Sequence, residues 1–100
     1  MTAYLVAQIE IKDPDTYQQY ADGFLPIFGN YKGEVIVVDD NCETLEGKWD
    51  GSRTVIIKFP DKEELLRWYN SPEYQKLMQL RLKASNGNVI MMEGFEVPTQ

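Results

Sequence analysis

The chain has no histidine among its 100 residues and a single cysteine, Cys42. Without histidine, the commonest general base is missing. So are the Ser-His and Cys-His nucleophile pairs, His-ligated haem and most zinc sites. One cysteine cannot form an internal disulfide and fits a reducing compartment. No haem or transition-metal cofactor is therefore expected. Basic charge is also scarce, with ten Lys and Arg against sixteen Asp and Glu, a formal net charge of −6. Such a surface repels phosphate backbones and argues against a nucleic-acid partner. No apolar run approaches the ~20 residues that cross a bilayer. The opening "MTAYLVAQIEIKD" lacks the basic flank and cleavage site of a signal peptide and is read as a strand. No membrane partner is expected, and the expected location is cytoplasmic. Phosphate-loop, dinucleotide and CxxC motifs are absent too.

What is present is an ordinary globular composition, 43% hydrophobic and 26% charged, in a length that suits a single domain spanning 1–100. Residues 3–11, "AYLVAQIEI", alternate as a strand, with Leu5, Ala7, Ile9 and Ile11 on one face. Asp13 then caps a helix that has Pro14 at its first position. Tyr17, Tyr20, Ala21 and Phe24 share one face of it, and Pro26 is expected to end or bend it. Residues 34–40 and 53–59 read as strands. The long connection between them suggests a short extra strand over 44–48, closed by an Asp50-Gly51 turn. Asp61 and Glu64 form a capping box for the next helix. Ser71-Pro72 breaks that helix and starts another, since proline removes a donor and disfavours the helical region for the residue before it. "NGNVIMMEGFEV" is expected to turn at Asn86-Gly87 and run out as the last strand.

Strand, helix, strand, strand, helix, strand is the split βαβ order of the ferredoxin-like α+β fold. Its helices cover one face of a four-stranded antiparallel sheet. Yet "VIVV", "TVII" and "VIMM" are apolar at consecutive positions, hence on both faces. A second copy of the chain is the economical cover for the other face, giving a homodimeric α/β barrel. An RNA-recognition module of the same fold needs stacking aromatics on its middle strands, and "RTVIIKF" does not supply them.

"DPDTYQQYA", "LEGKW", "KFPDKEELLRWYNSPEYQKL" with a later Arg81, and the closing "MMEG" resemble the domain-of-unknown-function 1330 family. That family belongs to the dimeric α/β barrel superfamily. The resemblance implies a ferredoxin-like dimer and no settled activity. The superfamily includes cofactorless monooxygenases, lactone isomerases and haem enzymes, so chemistry stays open. Family members often carry His-Gly-Gly before the second strand, where this chain reads Tyr31-Lys32-Gly33. Tyrosine, with a reference pKa near ~10, is a poor base at neutral pH.

Among candidate residues, Asp13 is read as a cap rather than a cleft carboxylate. Asp39, Asp40 and Glu43 are read as a solvated turn rather than a Mg²⁺ or Ca²⁺ site. They also keep the Cys42 thiol protonated. Glu46 is expected to pair on the surface with Lys48 or Arg53. Arg81 lies on the same helix stripe as Tyr74 and Leu77, an unusual place for a guanidinium. Either it pairs with a carboxylate structurally, or it meets an anionic ligand. The site expected from these residues is a pocket between sheet and helices lined by Tyr17, Trp68, Tyr74 and Arg81, holding a small organic, anionic aromatic molecule. The alternatives are a cofactorless oxygenase- or isomerase-like enzyme using tyrosine, carboxylate or arginine groups, and a non-catalytic self-associating protein.

Overall fold

The computed structural model describes residues 1–49 and 53–96. Within them β1 (Ala3–Ile11), α1 (Pro14–Phe28), β2 (Glu34–Asp39), β3 (Arg53–Phe59), α2 (Lys62–Tyr69), α3 (Pro72–Ala84) and β4 (Ser85–Glu93) follow in chain order. The strands form one antiparallel sheet in the order β2-β3-β1-β4, the ferredoxin-like α+β arrangement.

Strand alternation assigns the two faces. Ala3, Leu5, Ala7 and Ile9 of β1 point inward and are buried, together with Ile57 and Phe59 of β3. The helices supply Tyr17, Tyr20, Phe28, Leu65, Trp68, Tyr74 and Met78 to this core. The outer face is read by following the register across the strands. One row runs Val37, Ile56, Val6 and Ile90, apolar on all four strands. It lies between a polar row, Asp39, Thr54, Gln8 and Asn88, and a mixed row, Glu34, Lys58, Tyr4 and Met92. Ile90 is 54% exposed and Met92 43%.

The N-caps form as their residue types require, but the capping box expected of Asp61 and Glu64 is only half made, because the Glu64 carboxylate accepts from Lys32 and Arg67 instead. Asp13 accepts from the Thr16 backbone at 3.2 Å and from its hydroxyl at 2.7 Å, which also holds the Asp13 carboxyl below the usual carboxylate range. The Asp61 carboxylate accepts from the Glu64 backbone at 2.8 Å. At the helix break, one hydroxyl serves both sides. Ser71 Oγ donates to the Trp68 carbonyl at 2.8 Å and accepts from the Tyr74 backbone at 3.2 Å. Pro72 stands at the first position of α3, as its fixed φ favours.

Three local expectations are corrected. Pro26 does not end its helix, which continues to Phe28. The proline sits so near the end that it removes one bond of the last turn. The Gly29 N–H and the Asn30 side chain donate to the Leu25, Pro26 and Ile27 carbonyls. Residues 44–48 form no strand but an exposed loop with Gly47 at φ +76, and the Asp50-Gly51 turn lies outside the described residues. That loop is tied by side chains instead, Trp49 Nε1 donating to Thr54 Oγ1 at 2.9 Å. Asn86-Gly87 is no turn, because β4 starts directly where α3 ends. Gly87 pairs with Ile9, and a Cβ there would lie 2.2 Å from the Gln8 carbonyl oxygen. Glycine is present for close backbone approach, not for a bend.

Candidate cavity between sheet and helices

α1 makes its main contacts with α3, whereas α2 reaches down to β1 and β3. Between the inner sheet face and these helices lies a cavity of about 290 Å³. Leu5, Ala7, Val55, Ile57 and Val89 form its floor, and Phe24 and Trp68 stand among its helix-side walls. Leu25 and Val38, both exposed, line it where it meets solvent. Its polar groups are Tyr17 and Tyr20 from α1, Tyr69 from α2, Tyr74 and Arg81 from α3, and Arg53 from β3. Among the described residues, no carboxylate lines it.

Arg81 is 8% exposed, and no carboxylate among the described residues lies within ion-pair distance of it. Among the described residues, then, the structural carboxylate partner that the sequence left open is not found. What faces the guanidinium instead is aromatic. Its carbon lies 5.9 Å from the Tyr20 ring centre, and the Tyr74 hydroxyl is beside it. Burial opposes the charge, but the Tyr74 and Tyr20 oxygens outweigh this and keep the pKa above the usual arginine value. The two phenol oxygens are 2.8 Å apart. Burial pushes both hydroxyls above the usual phenol range, Arg81 pulling partly the other way, so both stay protonated at neutral pH.

The helix break places the aromatic wall. Trp68 ends α2 and Tyr74 begins α3, and the bend at Ser71 brings their ring centres to 4.2 Å. Phe24, Phe28, Phe59 and Tyr69 also surround the 1%-exposed Trp68 ring, whose Nε1 has no hydrogen-bond partner. A second cation stands further along. Arg53 lies 5.4 Å from the Tyr17 ring centre and binds Asp40 through two nitrogens, at 2.5 and 3.1 Å. This pair holds Asp40 below its usual carboxylate value. It also takes Arg53, one of the two cations expected for Glu46, which is exposed and forms no ion pair with Lys48 either among the described residues.

All four residues expected at the pocket, Tyr17, Trp68, Tyr74 and Arg81, line this one cavity. Tyr20, Phe24, Tyr69 and Arg53 were missed. Tyr20 and Phe24 share the Tyr17 stripe, and Arg53 alternates with Val55 and Ile57, so period alone could have found them. Other candidates lie elsewhere. Asp13 is a cap, and no group of three metal-ligating side chains occurs among the described residues. Tyr31 does not line the cavity, because its ring carries the Arg67 guanidinium at 4.4 Å.

The family model for DUF1330, a domain of unknown function, matches residues 2–95. The chain belongs to the DUF1330 family. No curated protein matches the sequence. Among solved structures, the DUF1330 chain is similar to RPA0582 of Rhodopseudomonas palustris, a protein of unknown function. That match has 14% identity and a TM-score of 0.77 and covers 96% of this chain and 84% of the other. It is also similar to SnoaB, a cofactor-independent oxygenase from Streptomyces nogalater (12% identity, TM-score 0.67, coverage 99% and 98%). A third is a dimeric ferredoxin-like protein of unknown function from Thermobifida fusca (9% identity, TM-score 0.63, coverage 93% and 91%). At these identities the likeness establishes that the DUF1330 chain has the ferredoxin-like fold of dimeric α/β barrel proteins, and nothing about its chemistry.

Proposed function

We propose that this protein binds a small organic acid in the cavity between sheet and helices and does so as a homodimer. The observation that carries the ligand reading is Arg81, a buried guanidinium with no carboxylate partner among the described residues, opening onto an apolar cavity. A guanidinium in that setting is costly to desolvate and is best satisfied by a planar anion. The ligand's acidic group sits against Arg81, Tyr74 and Tyr20, and its flat body lies along Phe24 and Trp68. A cavity of about 290 Å³ suits a molecule of one or two rings. A non-catalytic self-associating protein would be better supported by a filled core with Arg81 in a salt bridge. The apolar outer row, Val37, Ile56, Val6 and Ile90, supports a second copy of the chain as its cover.

The test is a fluorescence titration with benzoate, naphthoate and hydroxynaphthoate in the Trp49→Phe background, where Trp68 alone reports. Saturable quenching is expected. Arg81→Met should weaken it roughly ten- to a hundredfold, the worth of a charge-assisted hydrogen bond. Absence of saturable quenching by all three acids would overturn the ligand reading.

A further inference from the structure

The Arg81–Tyr74–Tyr20 group holds more donors than acceptors. The two phenols share one O···O contact of 2.8 Å, so one hydroxyl donates and the other accepts. Whichever way that bond points, one phenolic proton has no acceptor among the described residues. Arg81 adds N–H donors and no acceptor. Around the cavity, α1 presents Tyr17 and Tyr20, α2 Tyr69, α3 Tyr74 and Arg81, and β3 Arg53. β1, β2 and β4 present only apolar side chains to it. The chain has no histidine, and no carboxylate lines the cavity among the described residues. The described lining groups include no carboxylate or imidazole to take up a proton.

We propose that the cavity ionises weak oxygen acids, taking phenols and enols conjugated to an aromatic ring or carbonyl as their anions. This rests on the ligand reading above and specifies its substrate class. The ligand O–H bond breaks, and its electron pair remains on the ligand as a phenolate or enolate oxygen. That oxygen accepts from Arg81 and from the free phenolic proton of the tyrosine pair. The released proton passes to bulk water, since the described lining groups include no carboxylate or imidazole to hold it. The guanidinium and the spare phenolic proton discriminate between the two forms of the acid, because they donate more strongly to a charged oxygen than to a neutral hydroxyl, whose own proton finds only phenol oxygens among the described lining side chains. A ten- to hundredfold preference for the anion lowers the bound ligand's pKa by about one to two units. Simple carboxylates, ionised at neutral pH already, bind without releasing a proton. The consequence is an electron-rich carbon or oxygen nucleophile held in an apolar cavity without a cofactor.

The experiment is a spectrophotometric pH titration of 4-nitrophenol and a hydroxynaphthoquinone with excess Trp49→Phe protein. Proton release is followed in weak buffer, and binding is followed in parallel by Trp68 quenching. The phenolate band is expected to appear about one to two pH units below its position in free solution. One proton should be released per neutral acid bound, and none for benzoate. Arg81→Met should return the titration to the free-ligand midpoint. Tyr74→Phe, which keeps the guanidinium, should lose part of the shift and covers the case in which Arg81→Met fails to fold. Quenching with an unshifted or raised pKa would overturn this inference while leaving the ligand reading intact. An unchanged shift in a folded Arg81→Met or Tyr74→Phe protein would overturn it as well. Quenching by none of these acids, nor by the carboxylates, would overturn both.

Discussion

Arg81 shows how one side chain can be out of place by composition and in place by geometry. Of its neighbours on the helix stripe, Tyr74 is a core residue and Leu77 packs against the core, and no described carboxylate balances its charge. An ion pair that merely stabilises would be lost on substitution, leaving its carboxylate buried and unsatisfied. Arg81 leaves no such partner behind. Arg81→Met, which keeps the length and discards the charge, should therefore fold and melt within about 5 °C of the wild type, since it gives up the contacts with Tyr74 and Tyr20 together with the cost of burying the charge. Circular-dichroism melting checks this. A fall of more than about 5 °C would make Arg81 a structural residue.

At the scale of elements, two junctions are held by specific atoms. Gly87 brings β4 against β1 so closely that any Cβ would strike the Gln8 carbonyl. Gly87→Ala should lower the melting temperature by roughly 5–20 °C, the range of an overpacked site in a domain this size. A smaller change would mean that the strand edge relaxes. The other junction is Glu64, which accepts from Arg67 at 2.8 Å and from the Lys32 backbone at 2.9 Å, tying α2 to the turn before β2. These two bonds, Arg67 first, hold its pKa at about 2, below the usual 4.5. The folded form thus binds the proton less readily than the unfolded chain does. The stabilisation is complete above about pH 4.5 and disappears as pH falls through about 2. Glu64→Gln should melt roughly 1–5 °C lower at pH 7, the gap closing toward pH 2. A gap that persists at pH 2 would show that the loss is one of packing rather than charge.

For the whole molecule, the outer sheet face decides the assembly. Ile90, half exposed in the single chain, sits at the β4 end of the apolar row, so a charge there costs the isolated fold little and a packed interface much. Size exclusion with light scattering should give twice the chain mass for the wild type at micromolar concentration and the single mass for Ile90→Asp. A wild-type monomer would overturn the barrel arrangement. The ferredoxin-like protein of Thermobifida fusca, similar in fold, is itself dimeric.

Element order, caps and the inward faces were legible in the residues because they follow from local chemistry. A carboxylate before Pro14 caps, a serine before Pro72 restarts a helix, and alternation in β1 marks its buried side. Local rules misread Pro26 and Gly87 for one reason. Each residue type has two uses, and the choice depends on what lies across the fold: late carbonyls already capped by Gly29 and Asn30, or a neighbouring strand pressed close. Tyr17, Trp68, Tyr74 and Arg81 could be picked out one by one, as aromatic stripes and a misplaced charge. Only the tertiary structure decided that they share a cavity, that Tyr20 bonds Tyr74, and that no described carboxylate reaches Arg81. Those facts depend on how far α1 stands from the sheet and on which carboxylates it keeps away, and distances between segments so remote in sequence are not encoded in any local pattern.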